Sequence, residues 1–268
     1  GWIAAWFNVL PLDEAVDRLK NGSLPGRAAA ITFDDGYADN WVNAVPILQK
    51  HGLHATFFIA SGFLDGGRMW NDTLIESVRR TAMPMLDLPW LSKSPVRVGS
   101  IAAKRAALDY LIPIVKYMSV SEREDAVARV EEYCAAELPD DLMLTTGQLR
   151  SLRSAGMGVG AHTVSHPILA RIDPALARRE IYEGREVLSG LIGESVGLFA
   201  YPNGKFGKDY LPEHVDMVRS MGFDAAVSTI WGVSGASSDF FQLRRFTPWG
   251  KSRVMFGLRM VRNIRANM

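Results

Sequence analysis

The feature that most restricts what this chain can fold into is a repeated rhythm: an apolar run of strand length followed by an amphipathic stretch of helix length. Residues 27–33 (RAAAITF), 54–60 (HATFFIA), 158–161, 197–201, 224–228 and 242–246 read as strands. Helical patterns lie between most of them, at about 39–51, 145–155, 174–191 and 211–221, with Asp173 as N-cap and Pro174 as first helical residue of the third. Apolar strands alternating with helices imply an α/β fold with a parallel sheet and helices outside, open to closure into a barrel. The rhythm stops from about 62 to 141. Helical patterns near 71–80, 101–117 and 121–137 follow one another there, joined through Pro84, Pro89 and Pro95. Because the strand pattern resumes directly afterwards, this stretch is expected to be an insertion in a barrel loop, within one domain spanning 1–268.

Composition narrows the partners. Thirty basic against twenty-nine acidic side chains give a net charge of +1, too little field to attract nucleic acid. The single cysteine, Cys134, excludes an internal disulfide and a Cys-rich metal site, and reads as a small apolar residue on a helix. No run of about 18 apolar residues is present. The opening GWIAAWF lacks the basic start of a signal peptide and reads as a helix entering a strand, so the chain is expected to begin partway through a natural domain. The compartment is left open, cytoplasmic or associated with the cell envelope. Residues 251–268 carry five basic and no acidic side chains, interleaved with Val254, Met255, Leu258, Val261 and Ile264. This is the pattern of a helix packed on the barrel, with peripheral contact to an anionic membrane as the second reading.

Two segments carry chemistry. Asp34 and Asp35 end an apolar strand in Thr32-Phe33-Asp34-Asp35-Gly36. Adjacent carboxylates at such a place repel and lose solvation unless a cation or hydrogen-bond donors compensate, although a turn or cap role fits the pair alone equally well. His162-Thr163-Val164-Ser165-His166 follows another strand, hence the same end of a barrel. Histidines four apart share one side of a helical turn and suit a single metal ion. With Asp35 they make a His-His-carboxylate set, which favours Zn2+ or another divalent transition metal over Mg2+ or Ca2+. Asp34, beside the metal's water, is then the candidate base for hydrolysing an amide or ester.

TFDDG followed by H-T-x-x-H resembles the first two motifs of the polysaccharide deacetylase family, carbohydrate esterase family 4, and the resemblance extends from about residue 7 to 248. It implies a distorted (β/α)7 barrel, removal of N-acetyl or O-acetyl groups, Asp34 as base, and Asp35, His162 and His166 as ligands. The family's third motif, commonly Phe-Arg-Pro-Pro-Tyr-Gly, stands here as Phe199-Ala200-Tyr201-Pro202-Asn203-Gly204. The loop is expected to keep an oxyanion-binding N–H at Asn203 and substrate contacts at Tyr201 and Pro202. Ala200 replaces the arginine, so Arg245 (or its neighbour Arg244) is the candidate partner of Asp34, with a structural ion pair as the equal alternative.

Family members also carry a late histidine as general acid. The only histidine after His166 is His214, which reads as the first turn of an exposed helix. FAYPNG resembles the branch containing poly-β-1,6-N-acetylglucosamine deacetylases, whose motif order is permuted, so the acid is expected upstream of Gly1. His51 and His54 read as structural, and Trp70, Trp231 and Trp249 as candidates for stacking on a sugar. The expected partner is an acetylated amino-sugar polymer, such as an exopolysaccharide. A small amide, imide or formyl substrate on the same scaffold, or a carbohydrate-binding protein with a vestigial site, are the alternatives.

Overall fold

Apolar runs pair side by side in the computed structural model, which describes residues 1–247 and 252–265. The chain divides into two compact units, Gly1–Asp65 with Met143–Met268, and Gly66–Leu142. The first opens with α1 (Trp2–Trp6), β1 (Asn8–Val9), α2 (Leu12–Lys20) and β2 (Ala28–Ala29), and continues through β3 (Thr32–Phe33), α3 (Val45–Lys50) and β4 (Thr56–Ile59). The second contains α4 (Trp70–Arg80), an antiparallel pair β5 (Met85–Leu86) and β6 (Val96–Arg97), α5 (Ile101–Lys116) and α6 (Val120–Cys134). The first unit then resumes with α7 (Thr146–Ser154), β7 (Gly158–Ala161), α8 (Pro174–Ile192), β8 (Leu198–Ala200), α9 (Pro212–Ser220), β9 (Ala225–Val227) and α10 (Arg253–Arg265).

Strands β3, β4, β7, β8 and β9 lie in that order, all parallel. Neighbours in the sheet are thus neighbours along the first unit. That is barrel winding, whereas a doubly wound sheet reverses at a switch point. The result is a curled parallel half-barrel, a distorted (β/α) barrel, with β1 and β2 as a separate parallel pair. All four residues of β4 are buried, as an apolar run covered on both faces demands. Phe57 and Ile59 pack with Leu149, Leu152, Ile181 and Leu188 of α7 and α8. Phe58 points the other way, to Leu198, Ala200, Ala225 and Val227. Gly160 lies beside Phe58 in register, and a Cβ there would stand 2.4 Å from the phenyl ring. Space, rather than backbone freedom, dictates that glycine.

Four expectations are corrected. Residues 27–33 do not make one strand: β2 and β3 are two-residue strands belonging to different sheets. Three successive alanines have little β-propensity and little to bury, so the pairing breaks among them. The helix expected at about 39–51 passes through a π-helical stretch, Asn40–Ala44, before α3. Residues 242–246 run beside β9 but bridge to it only at Leu243. His214 is not on an exposed turn: it is 1% exposed, and its Nδ1 accepts the Leu211 N–H at 3.0 Å. Burial pushes its pKa down, so the ring is a neutral cap.

Helix α10 packs through Phe256 onto Trp2 and Trp6 and leaves Val254, Met255, Leu258 and Val261 exposed. No described helix is long and apolar enough to cross a membrane. In the helical unit, Glu76 accepts from Arg79 at 2.9 Å and from Arg80 at 2.7 Å, with its own side chain 7% exposed. Burial raises its carboxyl pKa, but the bonds from Arg80 and Arg79 outweigh this and hold it below the ordinary value. A depressed folded-state pKa stabilises above the unfolded pKa, and that contribution disappears as pH falls through the folded one. Glu76→Gln is therefore expected to lose about 1 kcal/mol at pH 7, Arg79 being mostly and Arg80 nearly half in water, and to match the parent at acid pH. Thermal melts across the carboxylate range check this; a gap that persists at low pH assigns the loss to packing.

Candidate metal centre

Three loops at the C-terminal ends of β3, β7 and β8 form the site. After β3, Asp35 takes φ 77° and Gly36 φ 90°, with Ile59 Cγ2 3.0 Å from where a Gly36 side chain would begin. Only glycine meets both demands. The turn is tied to β4 by the Ala60 N–H donating to Asp35 O at 3.3 Å. Asp35 Oδ1 stands 3.4 Å from His162 Nε2 and 3.3 Å from His166 Nε2. The three side chains each offer a ligand atom within 4.8 Å of the others. Ligand atoms about 2.1 Å from a shared tetrahedral ion stand about 3.4 Å apart, so the trio fits a divalent transition metal. His162 is 1% exposed, and its Nδ1–H donates to Ala200 O at 2.6 Å, which fixes the tautomer and leaves the Nε2 lone pair for a cation.

Electrostatics agree. Burial raises the Asp35 carboxyl, but the His162 hydrogen bond and the nearby imidazoles and Arg245 more than reverse this, so it is held below the usual carboxylate range. Burial opposes a proton on His162, yet Asp35 and Asp34 prevail and raise its pKa. The cluster seeks positive charge, whether proton or metal.

Asp34 lies outside the trio. Arg245 grips it with two bonds, Nη1 to Oδ1 at 2.7 Å and Nη2 to Oδ2 at 2.8 Å, while Arg245 Nε donates to Ser228 O at 2.8 Å. Burial raises the Asp34 carboxyl and the guanidinium outweighs it, keeping the pKa below the ordinary value. Of the two arginine candidates it is Arg245 that reaches Asp34, because the 242–246 segment hydrogen-bonds along β9 and beyond it, Arg245 N–H to Ile230 O at 3.0 Å.

The third loop turns at Asn203, φ 60°, and is pinned by Thr229, whose Oγ1 donates to Asn203 O at 2.8 Å and whose N–H donates to Gly204 O at 2.9 Å. Among the described residues the Asn203 N–H meets no acceptor. Tyr201 is a correction: fully buried, stacked 3.8 Å from Tyr210, with its hydroxyl donating to Phe241 O, it is a core residue and cannot touch a polymer. Pro202 is buried too, and shapes the turn by accepting the Gly204 N–H at 2.7 Å. Trp70 lies in the helical unit, packed on that unit's core with the Arg123 guanidinium 5.4 Å from its ring. Trp231 is half exposed, edge-on to Phe246, and Trp249 lies outside the described residues.

The reason for the histidine pair's convergence also differs from expectation. Residues 162–166 are not a helical turn but an irregular loop, with Thr163 at φ 66° and His166 at φ 54°. Two residues on α8 that contact this loop, Glu180 and Gly184, were missed. Their only trace in the sequence is a four-residue spacing that places both on one helix face.

Comparison with known proteins agrees with the geometry. The family model "Polysaccharide deacetylase" matches residues 21–84 and 120–226, and the chain belongs to that family. A Bacillus subtilis (strain 168) protein named "Putative polysaccharide deacetylase YxkH" is 18% identical over 219 residues, 82% of this chain; the chain spans half the length of that relative. Among solved structures, the Streptococcus pyogenes deacetylase PplD in complex with acetate is similar with a TM-score of 0.59, at 19% identity, over 91% of this chain and 75% of that one. IcaB from Ammonifex degensii is similar with a TM-score of 0.58, at 17% identity, over 97% and 84%. At these identities the likeness is one of fold.

Proposed function

We propose that this chain removes acetyl groups from an acetylated amino-sugar polymer, with Asp35, His162 and His166 holding a divalent metal, Zn2+ by preference, and Asp34 as base. The observation that carries the reading is the Asp35–His162–His166 cluster beside a carboxylate gripped by arginine. A divalent cation held there supplies Lewis acidity, lowering the pKa of water and polarising a carbonyl. Ionised Asp34 accepts the proton of the attacking water, and Arg245, bound to both its oxygens, holds the carboxylate in place. The Asn203 N–H donates to the oxyanion. Two of the five histidines are the ligand pair, His51 and His54 precede β4 at the opposite end of the sheet, and His214 is buried. In this reading Asp34, having taken the proton of the water, also returns it to the leaving amine. Arg245 supplies the partner that Ala200 lacks, which removes one argument for a vestigial site.

The test is acetate release from β-1,4- and β-1,6-linked N-acetylglucosamine oligomers, before and after chelation and with Zn2+ restored. Release that stops on chelation and returns with metal is expected; metal-loaded protein inert on every acetylated amino sugar sinks the proposal. Arg245→Ala is expected to cost about 10²-fold in kcat/KM, the scale of one mispositioned base. Without the guanidinium, the main influence opposing burial at Asp34 is gone and its pKa rises, so the acid limb of the pH–rate profile should move to higher pH. An unmoved limb would separate Arg245 from the base.

A further inference from the structure

A short loop that must present two imidazoles to one ion has a conformational problem in this chain. Thr163 is β-branched and sits at φ 66°, and His166 at φ 54°; residues of this kind rarely adopt the left-handed region unless their surroundings enforce it. Local sequence gives no reason for either, so the enforcement is tertiary. From one side, the N–H groups of Ser61 and Gly62, just beyond β4, donate to Thr163 O at 3.2 Å and Val164 O at 2.9 Å. From the other side stands α8. The Glu180 carboxylate accepts three bonds from the loop: Val164 N–H at 2.9 Å and Ser165 N–H at 2.8 Å, both on Oε2, and Ser165 Oγ–H at 2.7 Å on Oε1. One turn further, Gly184 lets the helix backbone close on the loop, since a Cβ there would stand 2.7 Å from Thr163 C and 2.8 Å from Thr163 O. Inside the loop, His166 N–H donates to Thr163 Oγ1 at 3.1 Å.

We infer that Glu180 is a positioning residue for the metal centre: by holding the peptide N–H groups of Val164 and Ser165, it keeps the loop in the shape that converges His162 and His166 on one cation. The inference rests on the metal-centre reading above. Charge-assisted bonds to two successive N–H groups are strong and directional. They act at the two residues midway between the ligands, where a change of backbone dihedral swings one imidazole relative to the other. A carboxylate makes no contact with the cation in this role. Its effect is to preorganise the ligands, and losses at such supporting residues run to about 10–100-fold in metal affinity.

The measurement is Co2+ binding, read from the visible ligand-field spectrum and by titration calorimetry, together with the melting temperature of metal-free protein. Glu180→Ala is expected to weaken Co2+ binding about 10–100-fold and to change the spectrum. Glu180→Gln keeps an amide oxygen for the two N–H groups and an amide N–H for Ser165 Oγ, and is expected to stay within about 5-fold of the parent, because geometry rather than charge is what it must reproduce. A purely structural role would lower the melting temperature in Glu180→Ala while leaving affinity and spectrum alone. That result overturns the inference, as does equal weakening by Gln and Ala. If Glu180→Ala does not fold, Glu180→Asp decides: one methylene shorter, it cannot span all three donors, and parent-like Co2+ binding overturns the inference as well. A parent protein that binds no Co2+ is a different failure. It removes the metal centre itself.

Discussion

Asp34→Asn should leave Zn2+ bound with a stoichiometry of about one while slowing acetate release about 10³-fold, within the 10²–10⁴ range of a lost general base. Asparagine keeps the shape of the side chain and one acceptor for Arg245, so the fold and the 3.3–3.4 Å ligand cluster are expected to survive. The uncompensated guanidinium left beside the site repels a cation. Its reach is nevertheless partial: Arg245 donates also to Ser228 O and Thr32 Oγ1, and Asp34 is 28% exposed, so solvent screens part of the field. A modest fall in affinity is therefore expected, which excess Zn2+ overcomes, while the loss in turnover persists at saturation. The two effects separate on a plot of rate against metal concentration. Turnover restored by excess metal would make Asp34 an electrostatic helper rather than the base, and loss of the stoichiometric ion would make it a ligand.

How far the sequence revealed this site depends on which physical property each residue expresses. Asp34, Asp35, His162 and His166 could be read because their chemistry is costly elsewhere: paired carboxylates at an apolar strand end demand compensation, and so do two histidines at the equivalent end of β7, one strand removed in the same sheet. β7 could be read to the residue, since a short apolar run between a helix and a polar loop has few other fates. The reason for the histidine spacing could not. A helical turn is the local default for residues four apart, and here Glu180, Gly62 and Gly184 override it from segments 16 or more residues away from the loop's own strand end or across the sheet. Tyr201 and His214 were misplaced for a related cause. The motif loop suggests a place at the substrate for Tyr201 and a first helical turn suggests solvent for His214, yet Phe241 O and the Leu211 N–H satisfy their polar atoms in the interior. Arg245 was reachable by elimination once Ala200 stood where an arginine is usual, but its bidentate geometry depends on an extended segment bridged to β9 at one residue.

The two histidines proposed as ligands should respond differently to substitution, although loss of either is expected to remove the metal. His166 has a side chain 14% exposed and a backbone at φ 54°, a conformation asparagine tolerates better than most residues. His166→Asn is thus expected to change the stability of the metal-free protein by less than about 1 kcal/mol, in line with substitutions outside the core. His162 is almost fully buried, and its Nδ1–H satisfies the Ala200 carbonyl on β8. His162→Ala leaves a cavity the size of an imidazole and an unpaired carbonyl. Cavity formation at a buried ring and an orphaned acceptor together are expected to cost about 3 kcal/mol. Both variants should bind Zn2+ at least 10³-fold more weakly, since two remaining ligands cannot form the closed set, and both should lose acetate release with it. Urea unfolding of the chelated proteins, paired with Zn2+ titration, distinguishes the two roles of His162. If His162→Ala matched His166→Asn in chelated stability, the bond to Ala200 would not support the sheet. If either variant kept parent-like Zn2+ affinity, the ion would be held by residues other than these three.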